Sequence, residues 1–165
     1  MPEFSHIDEA GNVRMVDVSP KNATDRHAVA ECRVLMKKET LDRIVSMDVK
    51  KGNVLETARI AGIMAAKKTS ELIPMCHPIA IRHVAVDFFP EHDRSAVRIV
   101  SSARATDKTG VEMEVMTAAG VAGLTIYDMC KSYDRGMSIT DLRLLEKSGG
   151  KSGHFVRNSG IRRKT

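Results

Sequence analysis

The sequence predicts an α+β fold: a four-stranded antiparallel sheet with its helices packed on one face. Two observations predict it. Segments with a two-residue apolar period and segments with helical spacing follow one another as strand, two helices, strand, strand, helix, strand. That is the split βαβ order of an antiparallel sheet, not the strict alternation of a parallel one. The length of 165 residues suits one domain, since domains typically take ~100–200 residues. With 42% hydrophobic and 28% charged residues, the composition is that of a folded globular chain and not a disordered one. There is no Trp, and only two Tyr and four Phe, so the core must be aliphatic, with help from the ten Met.

Residues 1–22 mix Gly, Asn, Ser and Pro without a period, and are expected to form an extended arm with local turns. Residues 23–153 are the expected folded domain, and 154–165 a flexible basic tail. In 26–37, Ala28, Ala30, Cys32, Val34 and Met36 alternate with His27, Val29, Glu31, Arg33 and Leu35, the pattern of a half-buried strand. Residues 40–47 place Leu41, Ile44 and Val45 at helical spacing and predict a short helix. After the turn Lys50-Lys51-Gly52, Asn53 is the expected cap of a second helix running to Glu71, because its side-chain oxygen can accept from the orphan amides of the first turn.

Ile73-Pro74-Met75-Cys76-His77-Pro78 ends that helix, since a proline disfavours helix in the residue before it. Its two prolines make the loop rigid. Residues 79–88 and 96–106, joined by a turn at 90–95, read as an antiparallel hairpin. Residues 111–132 form the longest helical candidate, and 138–145 a final strand. This order is ferredoxin-like. It leaves the second face of the sheet without elements of its own, and a second subunit is the simplest cover.

Charge is unevenly placed. The formal net charge is +5, but residues 147–165 hold six Lys/Arg and no acid, so the preceding 146 residues sum to −1. A near-neutral, aromatic-poor body lacks the basic stripe with exposed aromatics that nucleic-acid binding uses, and no nucleic-acid partner is expected. Cys32, Cys76 and Cys130 are widely spaced with no C-x-x-C pair. That argues against a disulfide framework and a zinc site, so no metal is expected, and it suits a reducing, cytoplasmic setting. The longest uncharged stretch, 115–127, has 13 residues, short of the ~20 that a membrane-spanning helix needs. Residues 1–11 carry acids and no apolar run, unlike a secretory signal.

Several residues are candidates for chemistry. His77 sits in the rigid loop, where a histidine can serve either as a backbone-bonded structural group or as a functional one. Glu112 and Glu114 open the long helix, a position where acids gain ~0.3–1 kcal/mol from the helix dipole. At the other end Asp128 opposes that dipole, three residues from Lys131 and hence beside it on one face. An ionised group closing an otherwise uncharged helix is a functional candidate. Glu114 and Asp128 lie ~21 Å apart along the axis and within ~40° in azimuth, at ~1.5 Å and ~100° per residue. They can meet one ligand only if that ligand is long, or if two subunits bring opposite helix ends together.

The run Ser148-Gly149-Gly150-Lys151-Ser152-Gly153, with Lys147 before it, reads either as a phosphate cradle of backbone amides and lysines or as a linker to the basic tail. Lys50-Lys51-Gly52 carries the same ambiguity. Lysines near turns, one rigid histidine and interior carboxylates suit general acid–base work on an anionic, phosphorylated small molecule.

Longer motifs sharpen this. Lys51-Gly52-Asn53-Val54-Leu55 with Thr57-Ala58-Arg59-Ile60-Ala61-Gly62-Ile63, Ile73-Pro74-Met75-Cys76-His77-Pro78, Thr109-Gly110-Val111-Glu112-Met113-Glu114, Leu124-Thr125-Ile126-Tyr127-Asp128-Met129-Cys130-Lys131 and Leu145-Glu146-Lys147-Ser148-Gly149-Gly150-Lys151-Ser152-Gly153 closely resemble the cyclic pyranopterin monophosphate synthase family, molybdenum cofactor biosynthesis protein C. The resemblance runs from Ser5-His6 to about Gly153.

It implies a cofactor-free lyase of molybdopterin biosynthesis. The substrate would be (8S)-3',8-cyclo-7,8-dihydroguanosine 5'-triphosphate, supplied by a radical-SAM enzyme, and the products cyclic pyranopterin monophosphate and pyrophosphate. It also implies a ferredoxin-like homohexamer, a trimer of dimers with sites at the dimer interface. Carried across, Asp128 is the catalytic acid–base group, assisted by Lys51 and Lys131. Met75, Cys76, His77, Met113 and Glu114 line the substrate, with Glu112, Lys147 and Lys151 beside it. Asn53 stands where the family usually has Asp, which alters local charge balance, and His154 where an acid or Asn is common, a departure of little consequence.

Overall fold

The computed structural model describes residues 10–158. In chain order the elements are β1 (Thr24–Leu35), α1 (Lys38–Val45), α2 (Val54–Lys67), α3 (Thr69–Leu72), β2 (Ile81–Glu91), β3 (Ala96–Asp107), α4 (Glu112–Cys130), β4 (Ser138–Ser148) and β5 (Phe155–Val156), with a 3₁₀ turn His92–Arg94 inside the β2–β3 hairpin. One antiparallel sheet takes the order β2-β3-β1-β4-β5. The α+β class and the antiparallel sheet agree with expectation, but the sheet has five strands and not four. No helix among the described residues is long and apolar enough to cross a membrane.

The fifth strand comes from the segment expected to be tail. Phe155 pairs with Lys147 and Val156 with Glu146, and Arg157 N donates to Leu145 O at 2.7 Å. Two residues are too few for a period to register in sequence, so only the pairing reveals the strand. Residues 1–9 of the arm and 159–165 of the tail lie outside the described residues.

Asn53 caps α2 as expected, its Oδ1 accepting from Glu56 N at 3.1 Å. The helix expected to reach Glu71 is interrupted at Lys68 (φ −112°, ψ 13°) and resumes as the single turn α3. Buried Thr69 stands at the break. Its hydroxyl donates to Ala66 O at 3.0 Å and Ala65 O at 3.3 Å, taking up carbonyls at the helix end by the local back-bonding typical of Ser and Thr.

Strand alternation gives the sheet two chemically different faces. Ala28, Ala30, Cys32 and Val34 of β1 are fully buried beneath α4, which also covers β3 and β4, while α2 lies over β2. The helix-free face carries charged groups between its strands. At its centre Glu31, only 3% exposed, sits 2.7 Å from Arg98 Nε, 2.7 Å from Arg143 Nη2 and 3.4 Å from Arg33 Nη1. Burial penalises its charge, but hydrogen bonds from Arg98 and Arg143 and the charge of Arg33 outweigh that penalty and hold the carboxyl below its ordinary value.

Small residues set the spacing of the helical layer. Ala118, Ala119, Ala122 and Gly123 of α4 are buried. Gly62 of α2 lies so near that a Cβ there would stand 2.9 Å from the Ala118 carbonyl oxygen and 3.2 Å from Val86 Cγ2. The two helices therefore touch through backbone. Gly62→Val should force them apart and cost ~1–3 kcal/mol by overpacking, read from urea unfolding. A loss under ~0.5 kcal/mol, the usual limit for a surface change, would show that the layer relaxes freely.

Candidate active site

Most sequence-predicted site residues gather at the two ends of α4. At the C-terminal end the last carbonyls of the helix lack intrahelical donors, and cations are favoured there. Lys131 supplies one, its Nζ donating to Asp128 Oδ1 at 2.7 Å. Lys51 supplies a second from the turn leading into α2, donating to the Asp128 carbonyl oxygen at 2.8 Å and lying 3.4 Å from Oδ2. Tyr133 braces that turn, its hydroxyl accepting from Lys50 N at 3.2 Å under the Arg43 guanidinium, 5.0 Å from the ring centroid.

The Asp128–Lys131 pair was legible from helical spacing. Lys51, 77 residues away in sequence, joins it only because α2 packs along α4. The hydrogen bond and charge of Lys131, followed by those of Lys51, hold the Asp128 carboxyl below its ordinary value. Asp128 in turn raises Lys131. The cluster is open to solvent, with the Asp128 side chain 61% exposed, so an incoming group can reach it.

The N-terminal end of α4 is built differently. A cleft of about 410 Å³ brings together Met75, Cys76 and His77 of the rigid loop with Glu112, Met113 and Glu114 of the first helical turn. The loop is turned by Cys76 N donating to Ile73 O at 3.0 Å. Glu114 is 3% exposed. Burial, with the nearby charges of Glu112 and Asp107, pushes its carboxyl up to about 7, although its own backbone amide works the other way. Burial and the Glu114 charge likewise raise the Cys76 thiol.

Part of the cleft wall comes from the N-terminal arm through Val16, Val18 and Lys21. The arm is tied down by Lys108 Nζ donating to Ser19 O at 2.9 Å, and Ser19 N donates to Asp17 Oδ1 at 2.8 Å. None of these arm residues was singled out in sequence. A segment without a period offers no signal of what it packs against, and Lys21 differs from the other surface lysines only by its position in space.

Lys147 and Lys151 belong to neither end. Lys147 pairs with Ala28 across β4 and β1, and its ammonium group bonds the Ser152 hydroxyl. Lys151 is exposed in the following turn. Gly149 and Gly150 both hold positive φ, at 96° and 72°, and a Cβ on Gly149 would run into the Asp25 carbonyl oxygen. The glycine run is therefore a shaped turn against β1, continued into β5, and His154 Nε2 meets Glu146 Oε1 at 2.9 Å.

One chain thus assembles Lys51, Asp128 and Lys131 at one end of α4 and Met75, Cys76, His77, Glu112, Met113 and Glu114 at the other, without joining the two groups. The Glu114 carboxyl gives a pH signature. Its folded value of about 7 lies above the ordinary 4.5, so between those values the folded state holds the extra proton, and stability falls as pH rises through that window. Glu114→Gln should flatten this slope in thermal unfolding between pH 4.5 and 7. A slope that survives the substitution assigns the proton to another group.

The chain matches the MoaC family over residues 15–150, a span that contains both ends of α4 and the rigid loop. It is 61% identical over 156 residues to the cyclic pyranopterin monophosphate synthase of Desulfatibacillum aliphaticivorans, covering 94% of this chain and 98% of that protein. The protein of the same name from Desulforapulum autotrophicum is 58% identical, with 94% and 96% covered. That of Heliobacterium modesticaldum is 54% identical over 157 residues, with 95% and 99% covered. Likeness over nearly the whole of both chains, including every element that builds the two helix-end clusters, means that this chain belongs to the MoaC family.

Proposed function

We propose that this chain is a cyclic pyranopterin monophosphate synthase, a lyase of molybdenum cofactor biosynthesis. It converts (8S)-3',8-cyclo-7,8-dihydroguanosine 5'-triphosphate, delivered by a radical-SAM enzyme in the cytoplasm, to cyclic pyranopterin monophosphate and pyrophosphate. Support comes from the name shared by the relatives and from the fit between the reaction and the two clusters. Opening a purine-derived ring, closing a pyranopterin and closing a cyclic phosphate all move protons without a net transfer of electrons.

The observation that carries the mechanism is a split in acidity along one helix. Asp128 is held low by two lysines, and Glu114 is held up to about 7 by burial. Groups pushed apart in this way take opposite parts in acid–base catalysis. Asp128, ionised at neutral pH, accepts a proton, while Lys131 and Lys51 return protons or steady developing negative charge. Glu114, still partly protonated near neutrality, donates to the substrate's ring system in the cleft with Met75, Cys76, His77, Glu112 and Met113. Lys147, Lys151 and the glycine turn hold the phosphates.

Because the two carboxyls stand ~21 Å apart along α4, a complete site draws its ends from two chains. This reading favours sites at a dimer interface in a homohexamer, a trimer of dimers. The strand order β4-β1-β3-β2 is taken as a ferredoxin-like core, with β5 added at one edge.

Asp128→Asn keeps shape and an acceptor oxygen but cannot take up a proton, so single-turnover product formation should fall ~100- to 10,000-fold with assembly unchanged. Turnover within roughly tenfold of the parent would move the acid–base role elsewhere. Co-assembly tests the shared site. Oligomers mixed from Asp128→Asn and Glu114→Gln chains, each inactive alone, should regain activity, because one of the two sites at each mixed interface then carries neither substitution, and light scattering should give about six chains. Mixtures that stay inactive, or an active monomer, would place the whole site in one chain.

A further inference from the structure

The helix-free face of the sheet treats its cations in two ways. At its centre Arg33, Arg98 and Arg143 each have a carboxylate partner: Arg33 Nε lies 2.9 Å from Glu91, and Arg98 and Arg143 lie 2.7 Å from Glu31. At the end where β4 enters the glycine turn, strand register sets Ser148 of β4, His27 of β1, Arg104 of β3 and His83 of β2 in one row. Arg26 and Arg82 flank this row, and the six residues line a cavity of about 570 Å³. That volume lies within the ~300–1,000 Å³ common for small-ligand sites.

Among the described residues no carboxylate stands within ion-pairing distance of His27, Arg82, His83 or Arg104, whereas the arginines at the centre of the same face all have one. Asp25, the one acid in the lining, has its Oδ1 engaged by the Thr106 hydroxyl at 2.8 Å. Arg26 directs its donors to the carbonyls of Asp107 and Lys108, each at 3.2 Å. Basic side chains directly opposite one another across strands repel when charged, and among the described residues the row lacks the counter-charge that the arginines at the centre of the face have.

We propose that this cavity binds a phosphate-class oxyanion. The Arg104 and Arg82 guanidinium groups supply the charged fork that suits phosphate oxygens, with the two imidazoles and the Ser148 hydroxyl completing the shell. The site is separate from Lys147. That residue pairs with fully buried Ala28 and so directs its side chain to the opposite face of the sheet from Ser148. Its charge pattern and cavity do not depend on the reaction assigned above.

Calorimetric titration at low ionic strength tests it, using orthophosphate and inorganic pyrophosphate in turn as probes. The protein carries Lys147→Ala and Lys151→Ala, so that the proposed phosphate hold at the glycine turn is disabled. Saturable binding of about one anion per chain should remain, and Arg104→Gln should weaken it by roughly tenfold or more, as expected for losing a charge-assisted hydrogen bond. His83→Gln, on the exposed edge strand, gives a second variant with a smaller loss in the same direction. Tighter binding of pyrophosphate than of orthophosphate would assign the cavity to a diphosphate-bearing ligand, and the reverse order to free phosphate. Absence of binding in the lysine-substituted protein, or affinity unchanged by both Arg104→Gln and His83→Gln, overturns the proposal. So does a change in oligomer mass with anion affinity intact, which would make the row a contact between subunits.

Discussion

The closeness of α2 to α4 is the constraint on which the rest of this structure depends. Where Gly62 faces the Ala118 carbonyl, the two helices are separated by backbone radii alone, and the small buried face of α4 lets it settle onto β1 at the same time. Close packing at this point of contact fixes how the two helices align. The turn before α2 is thereby carried to the end of α4, which is how Lys51 comes to Asp128. An alanine- and glycine-rich interior is also the sequence's answer to having no Trp and few other aromatics.

The same helix separates two electrostatic environments. Its C-terminal end is open, and there exposed lysines keep a carboxylate ionised at little desolvation cost. Its N-terminal end is roofed by the arm and the rigid loop, and burial there dominates over the dipole that would otherwise favour the anion. Two carboxyls on one helix acquire opposite titration behaviour from the packing at each end, not from their own spacing. Within one chain, a helix of this length holds them ~21 Å apart along its axis.

The sheet's second face shows a further consequence of having no helices over it. Its centre is closed by a buried carboxylate and three arginines in place of an apolar layer. Such a network is costly to break once formed, since removing one partner strands the others. It also differs in kind from the row of His27, Arg104 and His83 at the end of the face, which has no carboxylate partner among the described residues, although the two lie on the same strands.

Most of the elements were legible in the sequence because their signals are local. Alternation in β1, the hairpin and β4, the Asn53 cap and the proline-bounded loop each depend on neighbours a few residues away, and boundaries moved only slightly, as with the first strand from 26–37 to Thr24–Leu35. The break at Lys68 escaped because the competing bonds of a buried Thr69 hydroxyl do not change the apolar pattern, and β5 because two residues hold no period. Of the site, the sequence by itself determined the residue types and the family to which they are similar, including the Asp128–Lys131 pair set by helical spacing. Only the tertiary structure decided that Lys51 joins that pair, that Lys21 walls the cleft, that Glu31 closes the open face and that Glu114 is buried enough to hold its proton near neutrality. Charge burial and contacts between distant segments depend on how layers pack, and no local pattern of residues encodes that distance.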